Sequence, residues 1–266
     1  MDNNLQDDFS YFKHVFVKTS QMSDTLGNTD SLRPGKRIRI WGEIGHLVFP
    51  EQCLVCSTEL TVSEKSICSL CENDLALTQF EHFTEASPMD QLFWGRVSVS
   101  KTYAHFYFEK TKASQTLLFR LKYKHKQQLG VHLGQRVGAL LHKTTGWKEM
   151  DALLPVPLHP RKAFIRGYNQ SEAIAKGISE TLGVPMQTRW LKRNSFTETQ
   201  TKKSRFERWE NVQSRFRVHK NLETCKHVIL VDDVITTGST LEAIIREIRE
   251  VHPDLKISII TLAMAR

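Results

Sequence analysis

Two adjacent carboxylates, Asp232 and Asp233, are followed by Val234, Ile235, Thr236, Thr237, Gly238, Ser239 and Thr240. Ionised carboxylates accept hydrogen bonds strongly, so the pair can hold two neighbouring ribose hydroxyls, directly or through Mg²⁺. The four hydroxyls and the free backbone N–H groups of a tight turn can donate to a phosphate, and a glycine lets the backbone come close to it. The combination suits a sugar phosphate.

Two further sets of residues have types and spacing that can do chemistry. Cys53 and Cys56 form one C-x-x-C pair, Cys68 and Cys71 a second, with eleven residues between the pairs. Four thiolates arranged in two tight knuckles match a structural, tetrahedral Zn²⁺ with no open position. The spacing fits a compact ribbon or treble-clef-like finger, with a helix starting near Cys71. Four unrelated buried cysteines are the plain alternative. A redox role is weaker, because thioredoxin-type motifs use one pair beside a βαβ unit. Cys225 stands alone and reads as a core or strand-edge thiol. The other set is basic. After the Pro-broken strand Asp151 to Leu158, residues 159–170 read as a turn with Pro160 and Gly167. The turn carries His159, Arg161, Lys162 and Arg166, offers the amides of Asn169 and Gln170 as donors, and precedes a helix through Ala173, Ile174, Ile178 and Leu182. Cations between a strand end and a helix start suit a second phosphate group, and a basic surface loop is the alternative.

The acidic pair is held by elements legible from apolar spacing. Val228 to Val231 is a run of four apolar residues, three of them β-branched, which predicts a buried parallel strand ending at the carboxylates. Leu241, Ile244, Ile245, Ile248 and Val251 recur at helical spacing after the turn. A strand ending in two Asp also occurs in nucleotide hydrolases, but the chain has no G-x-x-x-x-G-K-[ST]. Phospho-receiver domains place such a pair near their start, which does not match its position here. A strand–turn–helix with an acidic cap would need one Asp and no hydroxyl cluster.

The stretch 228–240 closely resembles the phosphoribosyl pyrophosphate (PRPP) motif of type I phosphoribosyltransferases. The resemblance implies that Asp232 and Asp233 hold the ribose hydroxyls and that Thr236 to Thr240 cradle the 5′-phosphate. From about residue 150 strands alternate with helices, which predicts a parallel α/β sheet with the ligand at the carboxyl ends of its strands.

The rest of the chain divides by composition. Residues 1–45 read as a polar extension and a short amphipathic helix, residues 46–80 as a four-cysteine zinc finger, and residues 95–266 as the main domain, with a linker over 80–95. Val97 to Phe108 predicts a strand or hairpin, and helices follow from Ser114 and over Leu129 to His142. The first of these helices carries Arg120, Lys122, Lys124 and Lys126, either a solvated face or an anion-binding edge. Between Arg189 and Lys220, ten Lys or Arg face only Glu198, Glu207 and Glu210, which is nearly the whole +8 excess of the chain. This stretch, with Gln200, Lys202, Lys203, Arg205 and Arg208, reads as a cationic flap closing over a pyrophosphate, as a binder of single-stranded nucleic acid by phosphate contact and stacking, or as a solvated loop.

Taken together, 47–56, 153–160, 166–170, the 199–211 stretch and the PRPP motif resemble the ComF family of competence-type, phosphoribosyltransferase-like proteins. The resemblance covers about residues 45–266. It implies a type I phosphoribosyltransferase fold with a small N-terminal zinc-finger domain, and a flexible loop over 199–211. It also implies a cytoplasmic role in DNA uptake during natural transformation, alongside DNA-uptake machinery and with single-stranded DNA as a partner. Two function classes stay open: an enzyme moving phosphoribosyl from PRPP, with Mg²⁺, to an acceptor the sequence does not name, and a non-catalytic adaptor binding DNA or a nucleotide. No residue stands out as a general base. The basic composition, with a pI of about 9.3, suits anionic partners. The polar, acidic start shows no signal peptide, and no run of eighteen apolar residues predicts a membrane span.

Overall fold

The structure is a computed structural model that describes residues 51–110, 113–122, 126–193 and 216–266. The expected N-terminal extension and helix, Lys124, and the flap with Gln200, Lys202, Lys203, Arg205 and Arg208 lie outside the described residues.

Four parallel strands form the central sheet: β1 (Thr102–Phe108), β2 (Ala152–Pro155), β5 (His227–Ile235) and β6 (Lys256–Ala265), in the spatial order β1-β6-β5-β2. The two central strands are buried on both faces, from Val228 to Val231 and from Ile257 to Met264. That is why Val228 to Val231 reads as an unbroken apolar run, and why 257–264 is apolar but for Ser258 and Thr261, both buried, rather than alternating. β2 lies beside β5, with a single parallel bridge from Leu153 to Met186 on its other side, and its Pro155, which has no N–H to give, stands opposite Val231 as the last pair with β5. A separate antiparallel pair joins β3 (Leu191–Arg193) to β4 (Phe216–Val218).

Helices cover the sheet: α3 (Ala113–Arg120), α4 (Gln127–Leu141), α5 (Pro160–Arg166), α6 (Gln170–Leu182) and α7 (Ser239–Val251). α4 and α6 lie unusually close. A side chain at Gly177 of α6 would meet the Val131 carbonyl oxygen, and one at Gly134 of α4 would meet the Ile174 carbonyl oxygen. α7 buries Leu241, Ile244, Ile245 and Ile248, the predicted stripe, and leaves Val251 half exposed.

The cysteine-rich part begins the described chain and includes α1 (Ser69–Asn73). It joins the same hydrophobic core as the sheet through Cys53, Leu60, Ile67, Cys68 and Leu75. Residues 76–78 run antiparallel along β1, with Tyr107 N–H donating to Ala76 O at 2.8 Å and Thr78 N–H to His105 O at 3.1 Å. Arg136 of α4 pairs with Glu72 of α1. The stretch expected to be a linker is instead ordered packing. Ser87 caps the short α2 (Pro88–Gln91) in a reciprocal box with Asp90, and Met89 and Phe93 are fully buried. The apolar residues of this stretch have no strand or helix periodicity, and only the cap marks the short helix that holds Met89 and leads to Phe93.

Candidate functional site

A cleft of about 570 Å³ opens at the carboxyl ends of the parallel strands. Phe108 reaches it from β1, Val156 from beyond β2, Asp232, Asp233 and Val234 from β5, and Ala265 from β6. The carboxylates do not follow β5 but lie within it, because β5 continues to pair with β6 through Asp232↔Thr261 and Ile235↔Met264. Pairing with β2 stops at Val231, one residue before Asp232 and four before the last pair with β6. β5 is therefore a central strand up to Val231 and an open edge from Asp232 onward, and that opening is the floor of the cleft.

Both carboxylates are half-buried rather than solvent-facing as the strand-end reading implied. Asp232 Oδ1 accepts from the Ser171 hydroxyl at 2.9 Å and from the Asp233 N–H at 2.9 Å, while Asp233 Oδ1 accepts from the Val234 N–H at 2.8 Å. Burial, followed by the like charge of Asp233, pushes the Asp232 carboxyl up to about 7, against the pull of the Asp233 N–H and the Ser171 hydroxyl.

Lys162 and Arg166 share the cleft with the acidic pair. The segment carrying them is not the turn expected from its Pro and Gly but a helix, α5. Pro160 occupies its first turn, His159 Nδ1 accepts from the Arg161 N–H at 3.2 Å as its cap, and Gly167, at φ 77°, ends it. Proline at the start and glycine just past the end are helix boundaries as well as turn residues. His159, Arg161 and Gly167 do not line the cleft. Asn169 then caps α6 by accepting from the Ser171 N–H at 3.1 Å, and its amide donates to Val156 O at 3.0 Å, tying the α6 start to the end of β2.

Of the hydroxyl turn, Thr236 and Thr240 line the cleft, whereas Ile235 is core and Thr237, Gly238 and Ser239 are not among its lining. Thr237 and Ser239 bond to each other through their hydroxyls at 2.8 Å. Lys122, Gln170 and Arg193, from the basic helix, the 166–170 motif and the start of the cationic stretch, also line the cleft, whereas Ser171 had no sequence signal of its own and looked like an ordinary helix residue. Gln170 Oε1 accepts from Arg166 Nη1 at 2.7 Å, and its amide nitrogen is buried without a hydrogen-bond partner. Tyr168 donates to Leu121 O, and burial pushes its hydroxyl up to about 12. A larger hollow of about 950 Å³ lies beside the start of β1, between Phe80, Trp94 and Trp147, and holds none of the expected site residues.

The second candidate site is the cysteine cluster. The four sulfurs of Cys53, Cys56, Cys68 and Cys71 lie within 4.8 Å of one another, and none forms a disulfide. Cys53 Sγ accepts from the N–H groups of Val55 at 3.4 Å and Cys68 at 3.3 Å, as knuckle turns around a thiolate do. Ser57 and Ser66 adopt φ of 62° and 63° to make those turns. Four soft ligands converging on one point fit Zn²⁺. Cys225 lies apart, half-buried, with its thiol pushed up by burial.

Comparison with known proteins agrees with this layout. The phosphoribosyl transferase domain matches residues 169–266, which include α6, the acidic pair and the hydroxyl turn. Residues 169–266 are thus similar to a phosphoribosyl transferase domain. Competence protein F of Haemophilus influenzae is 38% identical over 110 residues, 41% of this chain and 48% of its own length, so the chain spans about half of that relative. DNA utilization protein YhgH of Escherichia coli K12 is 26% identical over 218 residues, 74% of this chain and 90% of its own length. The chain is thus a homologue of competence protein F and YhgH, as the resemblance to the ComF family implied. Among solved structures, the glutamine PRPP amidotransferase of B. subtilis complexed with ADP and GMP is 19% identical over 54% of this chain and 30% of its own, with a TM-score of 0.39. The phosphoribosyl transferase domain and the parallel sheet together give an α/β fold of the type I phosphoribosyltransferase kind, with the cysteine cluster preceding it. Among the described residues no helix is long and apolar enough to cross a membrane.

Proposed function

We propose that this protein binds PRPP in the cleft at the carboxyl ends of β2, β5 and β6 and transfers its phosphoribosyl group to an acceptor. The observation that carries the reading is the convergence of Asp232 and Asp233 with Lys162, Arg166, Thr236 and Thr240 in one cleft. Carboxylates there accept from the ribose hydroxyls, the hydroxyl turn and the start of α7 hold the 5′-phosphate, and the two α5 cations face the pyrophosphate. Two carboxylates beside a polyphosphate offer the hard oxygen ligands that Mg²⁺ prefers, and the ion would neutralise charge on the departing pyrophosphate. The buried amide nitrogen of Gln170 offers one more donor to a ligand oxygen. Catalysis in such a site is positioning and charge stabilisation. Zn²⁺ in the cysteine cluster is structural. The names of the two relatives extend the reading to DNA uptake or use, with single-stranded DNA and uptake proteins as partners. Pyrophosphate release from PRPP, measured with Mg²⁺ against a panel of nucleobases, amines and oligonucleotides, tests transfer. Release that rises with one acceptor supports an enzyme, and PRPP binding with no release under any of them contradicts transfer.

A second reading has its own observation. Phe164 and Ile165 on α5 are 86% and 64% exposed beside Arg161 and Lys162. An exposed aromatic amid cations suits stacking and phosphate contact with a single strand, so a non-catalytic DNA-binding adaptor is the alternative. Phe164→Ala weakens oligonucleotide binding on that reading and leaves it unchanged otherwise.

A further inference from the structure

Behind the hydroxyl turn, on the side away from the cleft lining, stands a residue that no motif includes. Arg96 follows α2, next to the stretch that composition marked as linker. Its Nη1 donates to Thr237 O at 2.7 Å and to Leu92 O at 2.8 Å, and its Nε donates to Glu242 Oε2 at 2.9 Å. Glu242 lies in the first turn of α7 and also accepts from Arg246 Nη2 at 2.8 Å through its other oxygen. The guanidinium is therefore fixed at both ends, by the α2 segment and by the first turn of α7, with the Thr237 carbonyl between them.

The bond to that carbonyl has a consequence for the turn. Gly238 sits at φ 73° and ψ 1°, in the left-handed region open to glycine, and a glycine tolerates either orientation of the Thr237–Gly238 peptide, so nothing in the turn's own sequence selects one. The carbonyl and N–H of a trans peptide point to opposite sides. Holding Thr237 O against Arg96 therefore turns the Gly238 N–H away from Arg96. Phe93, fully buried, closes the space next to Gly238, with ring atoms 3.2 and 3.3 Å from where a Cβ would stand.

We propose that Arg96 is a positioning residue for the phosphate-binding turn, locking the Thr237–Gly238 peptide so that its N–H faces the 5′-phosphate of the ligand. The inference rests on the PRPP reading above and deepens it, by assigning the turn's preorganisation to a residue outside the phosphoribosyl transferase match. Arg96 touches no ligand. Its effect should fall on the phosphate held by the turn and not on the pyrophosphate held by α5.

Calorimetric titration of the full chain with ribose 5-phosphate, with Mg²⁺-pyrophosphate and with Mg²⁺-PRPP, for the parent, Arg96→Gln and Arg96→Lys, tests it. The expected result is a loss of about ten-fold or more for ribose 5-phosphate and PRPP in Arg96→Gln, the size of one well-placed hydrogen bond. Mg²⁺-pyrophosphate affinity, thermal midpoint and zinc content should stay close to the parent's. Arg96→Lys, which keeps the charge but reaches one acceptor at a time, should recover part of the loss. Equal weakening of all three ligands, or no weakening in Arg96→Gln, overturns the inference while leaving the PRPP reading in place. A parent protein that binds none of the three overturns the PRPP reading itself and this inference with it.

Discussion

The Ser171 hydroxyl at the start of α6 donates to Asp232 Oδ1 across 2.9 Å, joining two residues 61 apart in the chain. It is one of two hydrogen bonds that favour the charged form of a carboxylate whose burial and charged neighbour favour the neutral form. The site thus holds an acid whose proton comes off near neutrality in the absence of ligand.

PRPP affinity should follow that proton. A neutral Asp232 is a poorer acceptor for ribose hydroxyls, so affinity is expected to rise from pH 6 to pH 8 about an Asp232 value of about 7. Ser171→Ala removes a bond to the charged form and should move the midpoint upward. Titrations of both proteins across that range check this. A flat profile in the parent, or a downward shift in Ser171→Ala, goes against the assignment.

The same group sets a pH dependence of stability. The folded state holds the Asp232 proton up to about 7, against 3.8 for an ordinary Asp, so folding is favoured below pH 4 and progressively loses that contribution as pH rises to 7. At about 1.4 kcal/mol per pKa unit, Asp232→Asn is expected to stabilise the ligand-free protein above pH 7 by up to about 4 kcal/mol. The gain should vanish below pH 4. Denaturant melts at pH 4 and pH 8 measure it, and an equal effect at both would show that the carboxyl is not perturbed.

The cysteine cluster should carry one Zn²⁺ per chain. Metal binding to four thiolates is folding energy for residues 53–71, and these share the main core through Leu60 and Ile67. Chelation, or Cys68→Ser with Cys71→Ser, is expected to abolish zinc and lower the thermal midpoint of the whole protein. Less than about half an equivalent of zinc in chelator-free preparations would exclude the site.

The α4–α6 contact is expected to tolerate no side chain at Gly177. Alanine there gains helix propensity but drives its Cβ into the Val131 carbonyl oxygen, with Gln135 N only 2.7 Å away. The overpacking cost of roughly 1–3 kcal/mol exceeds the roughly 1 kcal/mol gained in propensity. The thermal midpoint should fall by several degrees, and an unchanged or raised midpoint would mean that the helices stand further apart.

What was legible in the sequence were contiguous signals. The β5 run, the Ile stripe of α7 and the paired cysteines each lie within a short window, and each proved to be the element expected. Residues that meet only through topology were silent. Ser171 becomes a partner of Asp232 because β2 ends and leaves the β5 edge open. Arg96 reaches Thr237 because α2 packs beneath the turn. Pro160 and Gly167 misled because the same two residues punctuate a loop and bound a helix, and only His159 at the cap position distinguishes the two.

The central claim is that Asp232 and Asp233 hold the ribose of PRPP. Calorimetric titration with PRPP and Mg²⁺ of the parent and of the Asp232→Asn, Asp233→Asn double variant tests it most directly. Asn keeps the shape but gives up charged hydrogen bonds worth roughly 1.5–3 kcal/mol each. The account predicts binding weakened by about ten-fold to several thousand-fold, with fold and zinc content intact. A double variant that binds PRPP as tightly as the parent would contradict it.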